Sequence, residues 1–199
     1  MKLIFATKNS GKTRELSKAL EETEFKVESL INQRTEAAPE TGSSFLENAL
    51  IKCKSVAEST GAPTIADDSG LVVPALNGRP GIYSARYSGP EASDEENIQK
   101  LIQEMRSISD RRAYFFCCLV FMVSSDDPFP IFAKGLWKGE ILEKPAGSGG
   151  FGYDPIFYLP EYGVTAAELP VEVKSSISHR ALAIKDFLSI YVKHEENLC

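Results

Sequence analysis

Three observations predict an α/β fold for this chain. Apolar runs of strand length alternate with longer segments whose apolar residues recur at helical spacing. Two of the helical segments open on a Ser followed three residues later by a Glu, at Ser44/Glu47 and Ser93/Glu96, which is the signature of a capped helix start. The runs are separated by short polar or glycine-rich turns, with no repeat and no low-complexity stretch, so the 199 residues read as one domain, 1–199.

The elements follow in order. Lys2 to Ala6 is a short buried strand, Thr7 to Lys12 a polar turn, and Thr13 to Leu20 a helix with Leu16, Ala19 and Leu20 on its apolar line. Ser44 and Glu47 cap the next helix, whose stripe is Phe45, Leu46, Ala49, Leu50, Cys53, Val56 and Ala57, and Gly61-Ala62-Pro63 stops it. Thr64-Ile65-Ala66 is a strand delivering Asp67-Asp68-Ser69-Gly70 as a polar turn, and Leu71-Val72-Val73 is a further strand. Gly78 to Gly89 is a loop rich in Gly and Pro, and a third helix, opened by Ser93 and Glu96, carries Ile98, Leu101, Ile102 and Met105. Tyr114 to Val123 is a central strand, followed by Ile131 to Leu136 and by Glu140-Ile141-Leu142. Lys144 to Pro155 is a second glycine-rich loop, and one last helix spans Ser175 to Val192. Its apolar line is Ile177, Ala181, Ile184, Leu188 and Tyr191.

Composition narrows the function classes. A formal net charge of −6 argues against a nucleic-acid binder, which needs a basic face for the phosphate backbone, but leaves room for a small anionic substrate. No apolar run reaches the about 18 residues of a membrane span, and no secretory leader is visible, so a cytoplasmic protein is expected. The four cysteines (Cys53, Cys117, Cys118, Cys199) lack metal-ligand spacing and only two histidines accompany them, so a zinc site is not expected; buried reduced thiols are.

Four segments carry candidate chemistry. The strand, the turn Thr7-Lys8-Asn9-Ser10-Gly11-Lys12 and the helix after it offer backbone N–H groups and a helix N-terminus to phosphate. The turn falls one residue short of a P-loop, with Ala6 where that motif has Gly; an ordinary βα turn is the plainer reading. Asp67-Asp68, at a strand end, suits Mg²⁺ held against phosphate, with Glu40 as a further oxygen ligand; a solvated Asp turn is the alternative. In Gly147-Ser148-Gly149-Gly150-Phe151-Gly152-Tyr153-Asp154-Pro155 the glycines allow close approach of backbone to ligand. Phe151 and Tyr153 there either stack on a base, worth ~1–3 kcal/mol, or pack on the core. Lys174 and Ser178-His179-Arg180 stand at the last helix's start, with His179 and Arg180 off its apolar line and facing away from the core. They form either an anion or carbonyl pocket or plain surface. A nucleoside triphosphate is the ligand that uses all four segments.

The same residues resemble a known family, the non-standard purine nucleoside triphosphate pyrophosphatases (inosine triphosphatases, or xanthosine/deoxyinosine triphosphate pyrophosphatases). The matching stretches run from Ala6 to Lys12, Glu40 to Gly42, Phe45 to Ala49, Ile65 to Leu71, Gly81 to Tyr87 and Gly149 to Pro155, and end with Lys174 and Ser178-His179-Arg180. The opening loop does not resemble the Ser-Pro-Arg-Arg type of the pyrophosphatases that act on thymidine and uridine triphosphates. The resemblance implies a long, twisted, mixed central sheet with helices packed on it, and two lobes flanking an active-site cleft. It also implies a cytosolic homodimer with Mg²⁺ as cofactor and neither nucleic acid nor membrane as partner.

By the same resemblance Thr7, Lys8, Asn9, Ser10, Gly11 and Lys12 hold the triphosphate. Asp68 binds Mg²⁺ and accepts the proton, helped at the metal by Glu40, and Ser69 touches substrate. Phe151, Gly152, Tyr153 and Asp154 line the nucleoside pocket, and Lys174, His179 and Arg180 complete base recognition. The expected reaction is attack of water on the α-phosphorus with release of pyrophosphate. Selection is expected at C6, where a deaminated purine accepts and adenine donates, because backbone N–H groups and Arg180 only donate. Two rivals are a P-loop nucleotide kinase or NTPase, and a nucleotide-binding regulator without turnover.

Overall fold

The computed structural model describes residues 1–32, 35 and 38–198. Among the described residues seven strands form one mixed sheet in the order β2-β1-β3-β4-β5-β6-β7, with helices packed on it. The strands are β1 (Lys2–Phe5), β2 (Lys26–Ser29), β3 (Thr64–Val72), β4 (Arg112–Met122), β5 (Ile131–Ile141), β6 (Phe157–Leu159) and β7 (Val164–Thr165). β1 pairs parallel with β2 and β3, whereas β6 pairs antiparallel with β5 and β7. The helices are α1 (Ser10–Ala19), α2 (Phe45–Thr60), α3 (Asp94–Met105), α4 (Val171–Ile177) and α5 (His179–Leu198). Among the described residues no helix is long and apolar enough to cross a membrane.

The chain forms two compact units. The first comprises the described residues of Met1–Asp68, Cys117–Gly135 and Arg180–Cys199. Its core joins Leu3, Phe5 and Ile65 from the strands to Leu16 of α1, to Leu20 that caps it, and to Ala183, Ile184 and Phe187 of α5. Phe25, Phe121, Phe187 and Tyr191 close it as an aromatic cluster, Phe25 and Tyr191 edge to face with centroids 4.8 Å apart; such pairs contribute about 0.5–1.5 kcal/mol beyond area burial. The second unit comprises Ser69–Phe116 and Leu136–His179. Its core gathers Leu71, Leu101, Met105, Phe115, Trp137, Tyr153 and Phe157.

Several expected elements are redrawn. β3 runs unbroken through Asp67-Asp68-Ser69-Gly70: these turn-forming residues remain extended because both carboxylates find partners on packed helices, described below. β5 is likewise one strand, its burial alternating along its whole length. Gly139 does not interrupt it, since a Cβ there would lie 2.5 Å from the Tyr158 carbonyl oxygen; the close approach of β6 requires glycine. α1 starts at Ser10, three residues earlier than expected, because Asn9 is its N-cap, and Ala19 is exposed rather than on the apolar line. On α2, Leu46 is exposed while Asn48 and Lys52 share the buried face with Ala49, Cys53, Val56 and Ala57. Gly61 caps α2 in the left-handed conformation. The Gly78–Gly89 segment contains a 3-10 turn at Gly81–Arg86. The last helix is two: Ser178 is extended, with ψ 162°, so α4 ends and α5 begins anew at His179. Cys53, Cys117 and Cys118 are buried thiols; Cys199 lies outside the described residues.

Candidate active site

In the first unit the opening turn is short. Ala6 is buried and its N–H still bonds the Ile65 carbonyl at 2.8 Å, so the strand-to-helix turn is only Thr7, Lys8 and Asn9. Thr7 Oγ1 accepts the Asn9 N–H at 3.1 Å, and Asn9 Oδ1 accepts the Lys12 N–H at 3.1 Å. Three residues do not wrap a phosphate as a P-loop does; what the segment presents is the positive end of α1. A Cβ on Gly11 would press to 3.1 Å from Asn9 Oδ1. Lys8, Asn9, Ser10 and Gly11 are exposed. Lys12 leans away from the turn, its Nζ 2.8 Å from Asp67 Oδ2.

The two adjacent acids stand on opposite faces of β3, as strand alternation requires. The expectation that Asp67 and Asp68 act as one metal-binding pair is therefore corrected. Asp67 is 2% exposed and faces α1 and α5, with Lys12 at 2.8 Å and Arg180 Nε at 3.7 Å. Burial pushes its carboxyl up, but Lys12, Arg180 and Lys52 together hold it well below the usual carboxylate range. Arg180 also pairs with Glu15 at 2.5 Å. It is 4% exposed, which corrects the expectation that it faces away from the core.

Asp68 faces α2. Its Oδ2 accepts from Asn48 Nδ2 at 3.0 Å, and its Oδ1 lies 3.7 Å from Lys52 Nζ. Lys52 reaches Glu40 Oε1 at 2.8 Å, so one ammonium serves two carboxylates. Asn48 also accepts the Gly42 N–H at 2.8 Å, tying the 40–42 segment to Asp68; Gly42 is required there, since a Cβ would fall 2.6 Å from that of Glu47. Burial raises the Asp68 carboxyl, and Lys52 and Asn48 offset this only in part. Sequence reasoning missed Asn48 and Lys52. Their signal is the i, i+4 spacing of two polar residues inside an apolar stripe, where a buried charge demands a partner. Among the described residues no group of three or more His, Cys, Asp or Glu is placed to hold a metal ion.

The second unit carries Ser69 (half-buried, next along β3) and the glycine-rich loop. The loop is pinned: Gly149 N–H bonds the Ala167 carbonyl at 3.1 Å, Phe151 N–H bonds Asp154 Oδ2 at 2.8 Å, and Gly152 N–H bonds Asp94 Oδ2 at 2.6 Å. Its two aromatics part company. Phe151 is 54% exposed, with Lys174 Nζ 5.3 Å from its ring centroid. Tyr153 is packed in the core with its hydroxyl on the Ser84 carbonyl at 2.9 Å, so its ring is not an open stacking surface. Asp154, buried, takes both the Phe151 N–H and the Lys174 ammonium.

His179 is buried, 4.9 Å from the Phe115 ring and nearly parallel to it, with Trp137 beyond. It too was expected to face away from the core. That expectation rested on one helical phase through 175–192, which the break at Ser178 resets. Asp94, between the capping residues Ser93 and Glu96, was not singled out in the sequence; nothing there marks its bond to Gly152.

The Ham1 family profile matches residues 3–190. The chain is 50% identical to the dITP/XTP pyrophosphatases of Shigella flexneri and Yersinia pestis, each over 92% of this chain and 94% of the relative. The dITP/XTP pyrophosphatase of Escherichia coli K12 is 49% identical over the same shares. Among solved structures, a HAM1 protein from Coxiella burnetii superposes with a TM-score of 0.92 at 42% identity, covering 97% of this chain and 99% of that one. The Staphylococcus aureus Ham1 protein gives 0.87 at 40% identity, covering 98% and 100%.

Proposed function

The chain belongs to the Ham1 family, and on that premise we propose that it hydrolyses non-standard purine nucleoside triphosphates (inosine, deoxyinosine and xanthosine triphosphates) to the monophosphate and pyrophosphate, clearing them from the nucleotide pool. The observation that carries this reading is Asp68: a buried carboxylate with raised proton affinity, oriented by Asn48 and sharing one ammonium with Glu40. Half-identity to curated dITP/XTP pyrophosphatases supports the substrate class.

The residues fit a hard divalent cation. The donors at Asp68 and Glu40 are carboxylate oxygens, both within reach of Lys52, and Mg²⁺ is commonly held by one or two carboxylates with substrate phosphates completing the shell. When bound there, Mg²⁺ supplies charge neutralisation for the triphosphate and a lowered pKa for the attacking water. Asp68 orients that water and takes its proton as the oxygen attacks the α-phosphorus. The bond from the α-phosphorus to the bridging oxygen breaks, and pyrophosphate leaves. Thr7, Asn9, Ser10 and Gly11, at the positive end of α1, bind phosphate with Lys8 and Lys12. Phe151, Gly152, Tyr153 and Asp154 shape the nucleoside site, Phe151 as the stacking face, with Lys174, His179 and Arg180 completing recognition and Ser69 touching substrate. The enzyme acts in the cytoplasm as a homodimer.

Incubation with Mg²⁺ and each of inosine, xanthosine, adenosine and guanosine triphosphates tests this. Pyrophosphate from the first two, with little from the others, is expected. Orthophosphate from ATP would restore the P-loop rival, which the three-residue turn already disfavours, and no product from any substrate would leave a regulator.

A further inference from the structure

We propose that Asp94 is a positioning residue for the nucleobase: by holding Gly152 it sets the stance of the exposed Phe151 ring. The proposal rests on the functional reading above and deepens it at the base end.

Asp94 is the first residue of α3, and it stands on a rigid support. Ser93 and Glu96 close a complete capping box around it, and Ile98, Leu101 and Met105 anchor the helix in the second core. Buried Asn97 ties the same helix turn to the Ser88 N–H at 2.7 Å and the Ala85 carbonyl at 3.2 Å. From this support the carboxylate reaches 58 residues along the chain and accepts the Gly152 N–H at 2.6 Å.

The need for such a bond lies in the loop. Phe151 is flanked by Gly150 and Gly152, both left-handed at φ 76° and 59°, so the backbone on either side of it has little conformational preference of its own. The residue is 54% exposed, and its ring faces the Lys174 ammonium at 5.3 Å. Two consecutive N–H bonds hold the backbone from which it projects: Phe151 to Asp154 and Gly152 to Asp94. Asp154 also binds the Lys174 ammonium, so altering it would disturb a charge as well. Altering Asp94 changes the loop anchor and leaves that ion pair in place. The same two bonds occupy the N–H groups of Phe151 and Gly152, which leaves selection of the base's C6 oxygen to other donors.

Three variants separate position from charge. Asp94→Asn keeps an acceptor oxygen in place without the negative charge that favours a helix start. Asp94→Glu keeps the charge but moves the carboxylate one methylene outward, and Asp94→Ala removes both. Steady-state hydrolysis of inosine triphosphate is expected to show KM raised about 5- to 10-fold in the Ala and Glu variants, with kcat within about 2-fold, as for a contact made equally in ground and transition states. The Asn variant is expected to stay near wild type. If the Ala variant does not fold, the Asn and Glu pair carries the comparison alone. Wild-type KM in the Glu variant with impaired Asn would assign Asp94 to helix charge and overturn the proposal; so would a fall in kcat at unchanged KM. A wild-type protein that releases no pyrophosphate from inosine triphosphate would sink the functional reading and this inference with it, whereas an active wild type with flat KM values across the series sinks the inference alone.

Discussion

Asp67 and Asp68 are neighbours on one strand, buried to similar depth, yet their surroundings push their carboxyls in opposite directions. On the α1 and α5 face, Asp67 and Glu15 are matched by Lys12 and Arg180, two charges of each sign. On the α2 face, Asp68 and Glu40 share Lys52, and Asn48 donates to Asp68. Burial penalises both acids; only the first is given enough cations to overcome it. Close cationic pairing keeps Asp67 ionised, whereas the raised carboxyl of Asp68 is the one suited to the proposed role of proton acceptor.

Paired substitutions would break this contrast or sharpen it. The largest effect is expected from Asp68→Asn, which removes the proposed base: kcat should fall by about 10²–10⁴-fold while the melting temperature holds, because burial already penalises the ionised carboxyl there. Asp67→Asn should do the reverse in stability, leaving Lys12 and Arg180 under-compensated at a cost of about 3–5 kcal/mol, seen as a melting temperature lowered on the order of 10 °C. Its sign with pH follows from the depressed carboxyl: the ion pair stabilises above the unfolded-state value of about 3.9 and is lost as pH falls further, so the gap between wild type and variant should close below about pH 4. Equal melting curves for the two variants would erase the distinction between the faces.

A smaller effect is expected from Lys52→Met. Lys52 lowers the Asp68 carboxyl against its burial; without that ammonium the base protonates at higher pH, so the acidic limb of the pH–rate profile should move upward. An unmoved limb would detach Lys52 from Asp68. The smallest concerns Cys118, whose thiol burial, with Asp68 and Asp67 nearby, pushes up to about 11. Iodoacetamide at pH 8 should leave it unmodified in the native protein and label it in urea, as read by mass spectrometry.

Much of this was legible in the sequence. The apolar periodicities found helices α1, α2 and α3, and the Ser44 and Ser93 caps fell where expected. The losses share a cause. Asp-Asp-Ser-Gly and the Gly139 region read as breaks because local propensity favours a turn there, while their extended form depends on partners distant in sequence: Lys12, Arg180, Asn48 and Lys52 for the acids, and the Tyr158 carbonyl for Gly139. His179 and Arg180 were misplaced because the apolar steps at Ile177, Ala181 and Ile184 continue smoothly across a break that only Ser178's backbone reveals. Asp68 and Glu40 were picked out as oxygen ligands from the residues and again by the resemblance; the ammonium that couples them left only the weak mark of Asn48 and Lys52 at i, i+4 inside an apolar stripe.

The interleaving of the two units also bears on how the protein is made. The first core needs Ala183, Ile184 and Phe187 as well as Leu3 and Phe5, whereas the second draws its last segment from residues ending at His179. A chain emerging from the ribosome therefore carries every residue of the second core before it holds the final helix of the first. Synthesis runs from the N-terminus, but here the unit begun first is completed last. The nascent protein can pack β1 and α1 against β3 and β4 early, but the cover that α5 gives this core arrives only when almost the whole chain has been translated.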